Sequence, residues 1–141
     1  MRLAICYLGL TFAALGQEAH SDCKNLAYEN RNQIESAPLQ ISRIQGNAKD
    51  AQSLPITQAC IGIFTEPDHM LIAVTQSDEN GHFELDGIPD GDYRLIVNPG
   101  YGGFCPANAK LKLDHHAKTK KALNAQMRVA GTGTCSWIEL K

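Results

Sequence analysis

Between Thr75 and Val97 the chain reads TQSDENGHFELDGIPDGDYRLIV, and turn-forming residues recur there too closely for three turns of helix. Asp78-Glu79-Asn80-Gly81 is the first turn. Asp and Asn bond to their own backbone and tolerate positive φ, and Gly adopts it without steric cost. His82-Phe83-Glu84-Leu85 then alternates polar and apolar, the period of a half-buried strand. Asp86-Gly87-Ile88-Pro89-Asp90-Gly91 breaks that strand, and Asp92 to Val97 alternates again with Tyr93, Leu95 and Val97 on one face. Pro99, Gly100, Gly102 and Gly103 end it. Strand, turn, strand, turn, strand is the grammar of a small all-β protein.

The same grammar continues on both sides. Leu39 to Ala48 reads as one strand, with Ile44, Gly46 and Ala48 on one face. Gln58 to Thr65 reads as the next, with Ala59, Ile61 and Ile63 toward the core and Cys60, Gly62 and Phe64 outward. An outward Phe beside a cysteine calls for a covering segment. Met70 to Thr75, Ala107 to Leu113 and Ala122 to Val129 supply three more strands. Short strands spaced by roughly 8–12 residues, with turn chemistry between them, predict a seven-stranded Greek-key β-sandwich over 39–130. A polar arm, 17–38, precedes it, and a tail, 131–141, docks through Cys135 and carries the lone Trp137. The 141 residues suffice for one such domain.

The string DENGHFELDGIPDGDYRLIV resembles the signature of carboxypeptidase-regulatory-like domains, a branch of the transthyretin-like (prealbumin-like) sandwiches. In that family an acidic-Asn-Gly turn leads to Gly-x-Phe, then a Pro-Gly turn, then Tyr-x-Leu-x-Val. Leu54-Pro55-Ile56 and Ala59-x-Ile61-x-Ile63 resemble the family's opening, so the likeness covers Ile44 to Val129. It implies the fold and says little of activity, because the domain is reused as an accessory module. In carboxypeptidases it is an appendage to a zinc peptidase, for which this chain has no room.

Met1 to Gly16 has one Arg ahead of an apolar run and small residues at Ala14-x-Gly16, which predicts a bacterial-style signal peptide with Gln17 as the first mature residue. The run is shorter than the ~20 apolar residues of a spanning helix. Cleavage removes Cys6 and leaves Cys23, Cys60, Cys105 and Cys135. An even count in an exported small domain predicts two disulfides, in any of three connectivities. The family topology favours Cys60–Cys105, which leaves Cys23–Cys135. A four-cysteine zinc site lacks the close Cys pairs it needs.

The expectation for chemistry is negative: no catalytic, cofactor or metal residues are assigned. His69, His82, His115 and His116 are scattered over loops and strand ends, and His20 lies in the arm. The acidic residues of the hairpin, Asp78, Glu79, Glu84, Asp86, Asp90 and Asp92, are what its turns require for conformational reasons, and no calcium-loop motif closes around them. No serine sits in a Gly-x-Ser-x-Gly elbow. A related hydrolase acting on a urate-pathway intermediate ends Tyr-Arg-Gly-Ser, whereas this chain ends Ile138-Glu139-Leu140-Lys141; intradiol dioxygenases need a His-x-His element that is missing here. Lys110, Lys112, Lys118, Lys120 and Lys121 read as charges that block pairing at an edge strand. A net charge of -2 gives no case for nucleic acid. The expectation is therefore a secreted or periplasmic, non-enzymatic bacterial module with a binding or structural role. Its partner is a protein or a carbohydrate, met through the loops or the outward face near Cys60 and Phe64. The alternatives are a small metal-dependent hydrolase using His82, His115 and His116, or a small-molecule carrier.

Overall fold

A computed structural model describes residues 23–28, 37–131, 133 and 135–141. The signal-peptide expectation, Cys6, His20 and most of the polar arm fall outside the described residues. Nine strands follow a 3-10 turn, Cys23–Asn25: β1 Leu39–Ile41, β2 Ile44–Lys49, β3 Cys60–Thr65, β4 Leu71–Gln76, β5 His82–Leu85, β6 Gly91–Asn98, β7 Ala107–Leu113, β8 Leu123–Gln126 and β9 Trp137–Leu140. They form a five-stranded sheet, β1-β7-β6-β3-β4, and a four-stranded sheet, β5-β2-β8-β9. The fold is therefore an all-β sandwich of two facing sheets, with nine strands among the described residues where seven were expected.

Both extra strands have a physical origin. The single strand expected over Leu39 to Ala48 breaks at Ser42-Arg43. Its first part pairs parallel with β7 and its second pairs with β5 and β8 in the other sheet. Ile41 and Ile44 are both buried, so the chain crosses between sheets while keeping an aliphatic anchor in the core on each side. The other extra strand is β9, which pairs antiparallel with β8 from Leu123↔Leu140 to Gln126↔Trp137. What reads in sequence as a docked tail thus extends the sheet, and Ile138 is buried beneath it.

Period-2 alternation places the core. Ile61, Ile63, Tyr93, Leu95, Val97, Ala109 and Leu111 face inward from the larger sheet and meet Ile44, Ala48, Phe83, Leu123, Ala125 and Met127 from the smaller. Gly46 lets β2 and β8 approach: a Cβ there would stand 2.1 Å from the Leu123 carbonyl oxygen. Val129, expected on the inner side of the last strand, is exposed, because β8 ends at Gln126 and Val129 bridges Phe104 instead. The short β1 pairs with β7 over Leu111, Lys112 and Leu113, so the edge-blocking account of the lysines fails for Lys112.

The disulfides correct the expected pairing. Cys23 joins Cys60, and Cys105 joins Cys135. Cys105 does not lie beside Cys60, because the connection it occupies leans toward the smaller sheet. There its N–H donates to the Arg128 carbonyl at 2.8 Å. The Ser136 hydroxyl donates to the Cys105 carbonyl at 2.7 Å and accepts the Arg128 N–H, also at 2.7 Å. That bridge brings the start of β9, and Cys135 with it, to Cys105.

Candidate functional site

The outer face of the four-stranded sheet is a ladder of polar side chains. The residues that alternate with the inward-facing ones in IQGNAK and LNAQ include the amides Gln45, Asn47, Asn124 and Gln126, which strand register aligns, Asn124 being buried among its neighbours. One rung runs His82, Asn47, Asn124, Glu139 across all four strands. A second runs Lys49, Gln126, Trp137, and a third pairs Glu84 with Gln45. Each amide offers a carbonyl acceptor and two N–H donors. Trp137 ends its rung 38% exposed, with the Arg128 guanidinium 5.2 Å from its ring centre. A cation at that distance is attracted to the ring's π-face and fixes the indole's pose.

Each of the face's two carboxylates has a cationic partner. Arg43 donates to Glu84 at 2.7 Å, and Lys141 lies 3.2 Å from Glu139. The Asn124 side-chain amide also donates to Glu139, at 3.2 Å. The Lys141 hydrogen bond, with the charge it carries and the Asn124 bond, holds the Glu139 carboxyl below its ordinary value despite some burial. The Gln126 amide donates to the Asp50 carbonyl at 2.6 Å, which leaves its own oxygen outward-facing capacity. An aromatic plate beside fixed amides, with carboxylates neutralised, can stack a non-ionic ring and hydrogen-bond its hydroxyls.

A second feature lies at one end of the sandwich, where the β1–β2 crossing, the β5–β6 turn and the end of β7 converge. They enclose a cavity of about 350 Å³. Ile44, Leu85, Ile88, Leu113 and Ala117 give it an aliphatic lining, and Ser42, Arg43, Asp86 and His115 are its polar groups. Asp90 accepts both the backbone N–H of His115, at 2.9 Å, and the ring Nδ1 of the same residue. The backbone bond, then the ring bond, holds the Asp90 carboxyl below its ordinary value. The Ser42 hydroxyl donates to the Thr119 carbonyl at 3.2 Å.

The third feature is the arm. The outward face at Cys60 and Phe64 was expected both to be covered and to meet a partner. It is covered by the arm's own residues. Cys23 pins the arm to β3, and Leu26 lies over Gly62 so closely that a Cβ there would be 2.5 Å from its methyl. The Tyr28 ring stands edge-on to Phe64 and stacks on His69 with centroids 3.8 Å apart. Beneath it Arg94, almost wholly buried, donates from Nε to Glu66 at 2.8 Å and from Nη1 to Asn108 at 3.0 Å. Tyr28 donates to Glu66 at 3.3 Å, and His69 lies 3.3 Å from the other carboxyl oxygen. This cluster holds the arm in place, and Phe64 is not open to a partner.

Of the residues weighed in sequence, the four cysteines Cys23, Cys60, Cys105 and Cys135 are all in disulfides. His82, His115 and His116 do not converge. His82 stands on the outer face of the smaller sheet, while His115 and His116 follow β7. No group of three or more metal-binding side chains forms among the described residues. The amide ladder was missed. Its signal was present as amides alternating with core residues in two strands that turn out to be neighbours.

No family model matches the chain, and no curated protein matches it. Solved structures do, among them Klebsiella pneumoniae 5-hydroxyisourate hydrolase. It is 15% identical, with a TM-score of 0.48, over 76% of this chain and 97% of that one. That protein is an enzyme, which runs against the expectation of a non-enzymatic chain, and that expectation is withdrawn. Two disulfides fit an extracellular or periplasmic location, and no helix among the described residues is long and apolar enough to cross a membrane.

Proposed function

We propose that this protein is an extracytoplasmic carbohydrate-binding module, acting at the bacterial cell envelope or outside the cell. Its partner is a neutral glycan lying across the outer face of the four-stranded sheet. The observation that supports this reading is the ladder Asn47, Asn124, Gln126 ending on the exposed ring of Trp137. A pyranose has an apolar face of C–H bonds and a rim of hydroxyls. The first matches an aromatic plate that is apolar in its body. The second matches side-chain amides, which donate and accept at once. The strands hold both at fixed spacing, so little side-chain freedom is lost on binding.

Trp137 is the only tryptophan in the chain and reports on its own site. Its fluorescence should shift saturably when the protein is titrated with a panel of cello-, xylo- and chito-hexaose. Trp137→Ala should weaken retardation of the protein in gels containing the matching polysaccharide by tenfold or more, and Asn124→Ala should weaken it several-fold. If no member of the panel moves the emission or retards the protein, the carbohydrate reading fails. A protein partner captured equally by wild type and Trp137→Ala would also count against this face.

A further inference from the structure

We infer that the cavity at the end of the sandwich is a hydrolytic site for short-chain carboxylic esters, with His115 as general base. The site adjoins the ladder's third rung through the Arg43–Glu84 ion pair. Asp90 accepts from His115 twice, the backbone N–H fixing the loop beside it and the ring Nδ1 orienting the imidazole. With Nδ1–H donated to a carboxylate, the remaining ring nitrogen, Nε2, is the acceptor, and the residue lines the cavity. An imidazole fixed in this tautomer by a carboxylate is the arrangement that takes a proton from a hydroxyl or a water.

The rest of the cavity decides the substrate. Ile44, Leu85, Ile88, Leu113 and Ala117 give it an aliphatic portion that suits a short acyl chain, beside the polar Ser42, Arg43, Asp86 and His115. At about 350 Å³ it is of the size of a small-molecule site and too small for a long chain. Arg43 lines the same space. Glu84 engages it at Nη2, and a guanidinium has five N–H donors, so others remain for an oxyanion. The Ser42 hydroxyl is committed to the Thr119 carbonyl, which makes water the nucleophile.

The step balances without a co-reactant. A water oxygen bonds to the ester carbonyl carbon while one of its protons passes to His115 Nε2. The carbonyl electrons move onto oxygen, opposite Arg43. Collapse re-forms the carbonyl and breaks the bond to the alkoxy oxygen, which leaves with the proton from Nε2. The products are an acid and an alcohol, and His115 is again neutral.

The test is hydrolysis of p-nitrophenyl butyrate by the purified disulfide-bonded protein. Wild type should show a saturable rate well above that of free imidazole at the same concentration. His115→Ala should lose at least tenfold in kcat, and added imidazole should restore part of it. Ala117→Trp, which fills the cavity, should raise KM or abolish turnover while the circular dichroism spectrum is kept. Asp90 acts through His115 as a positioning residue. Asp90→Asn should lower kcat at nearly constant KM, and Asp90→Glu should recover part of the loss. A rate no greater than free imidazole, or one that survives His115→Ala, overturns the proposal. So does equal turnover in folded Ala117→Trp.

Discussion

Glu66 is held by three neighbours of different kinds. Burial pushes its carboxyl up, but the Arg94 hydrogen bond and charge, His69 and the Tyr28 hydroxyl outweigh it, and the net shift is downward. A depressed carboxylate contributes stability that is fully present above its unfolded value, about 4.3, and is lost as pH falls through the folded value. Glu66→Gln should therefore cost about 2 kcal/mol at pH 7, the scale of a hydrogen bond to a charged group. Urea titrations of mutant and wild type should converge below pH 4. A gap that stayed constant with pH would mean the charge is not what matters. Gly46 offers a steric counterpart: Gly46→Ala drives a methyl into the Leu123 backbone, which no rotamer change relieves. The expected loss is about 3 kcal/mol, at the upper end of overpacking costs. A midpoint within 0.5 kcal/mol of wild type, as for a surface change, would contradict the close β2–β8 approach.

At the scale of elements, the edge strand β9 is held by one disulfide and a buried apolar anchor, and the arm by one disulfide and the half-buried Leu26 and Tyr28. Ile138 anchors β9 against the core. Ile138→Ala should destabilise by about 2–3 kcal/mol, as a large-to-small core change does. It should also expose the edge of β8, so proteolysis should begin within the last strand. The arm is held over β3 by Cys23–Cys60, with Leu26 and Tyr28 as its contacts. The double change of Cys23 and Cys60 to Ser should cost about 3 kcal/mol, a usual value for opening such a loop. It should also release the Tyr28 ring from Phe64 and His69, visible as loss of near-ultraviolet dichroism with the far-ultraviolet spectrum retained. An unchanged near-ultraviolet spectrum would mean the arm stays seated without its bridge.

For the molecule as a whole, each disulfide ties a segment near one end of the chain to the sandwich. One fastens the arm to the larger sheet, and the other fastens the β6–β7 connection to the start of β9. Non-reducing peptide mapping should recover Cys23 with Cys60 and Cys105 with Cys135. A Cys60–Cys105 peptide would refute the path of the β6–β7 connection. The strands were legible in sequence because alternation and turn chemistry are local. Phe83 and Leu95 appear in the core where their period places them. The crossing at Ser42-Arg43 was not legible, because no Gly or Pro marks it and the buried pair Ile41 and Ile44 continues the apolar pattern. β9 was hidden for a similar reason: four residues after two glycines look like a tail until a neighbour supplies their hydrogen bonds.

The amino-acid order alone determined most of the extended segments, their turns and the inward side of their alternation, since these follow from backbone preferences within a few residues. Tertiary structure alone decided which strands became neighbours, and so which cysteines met. It also set Asn47 beside Asn124 and brought Asp90 to His115. Those pairings join residues far apart in the chain, and only the closing of two sheets over one aliphatic core selects among the many partners each could have had.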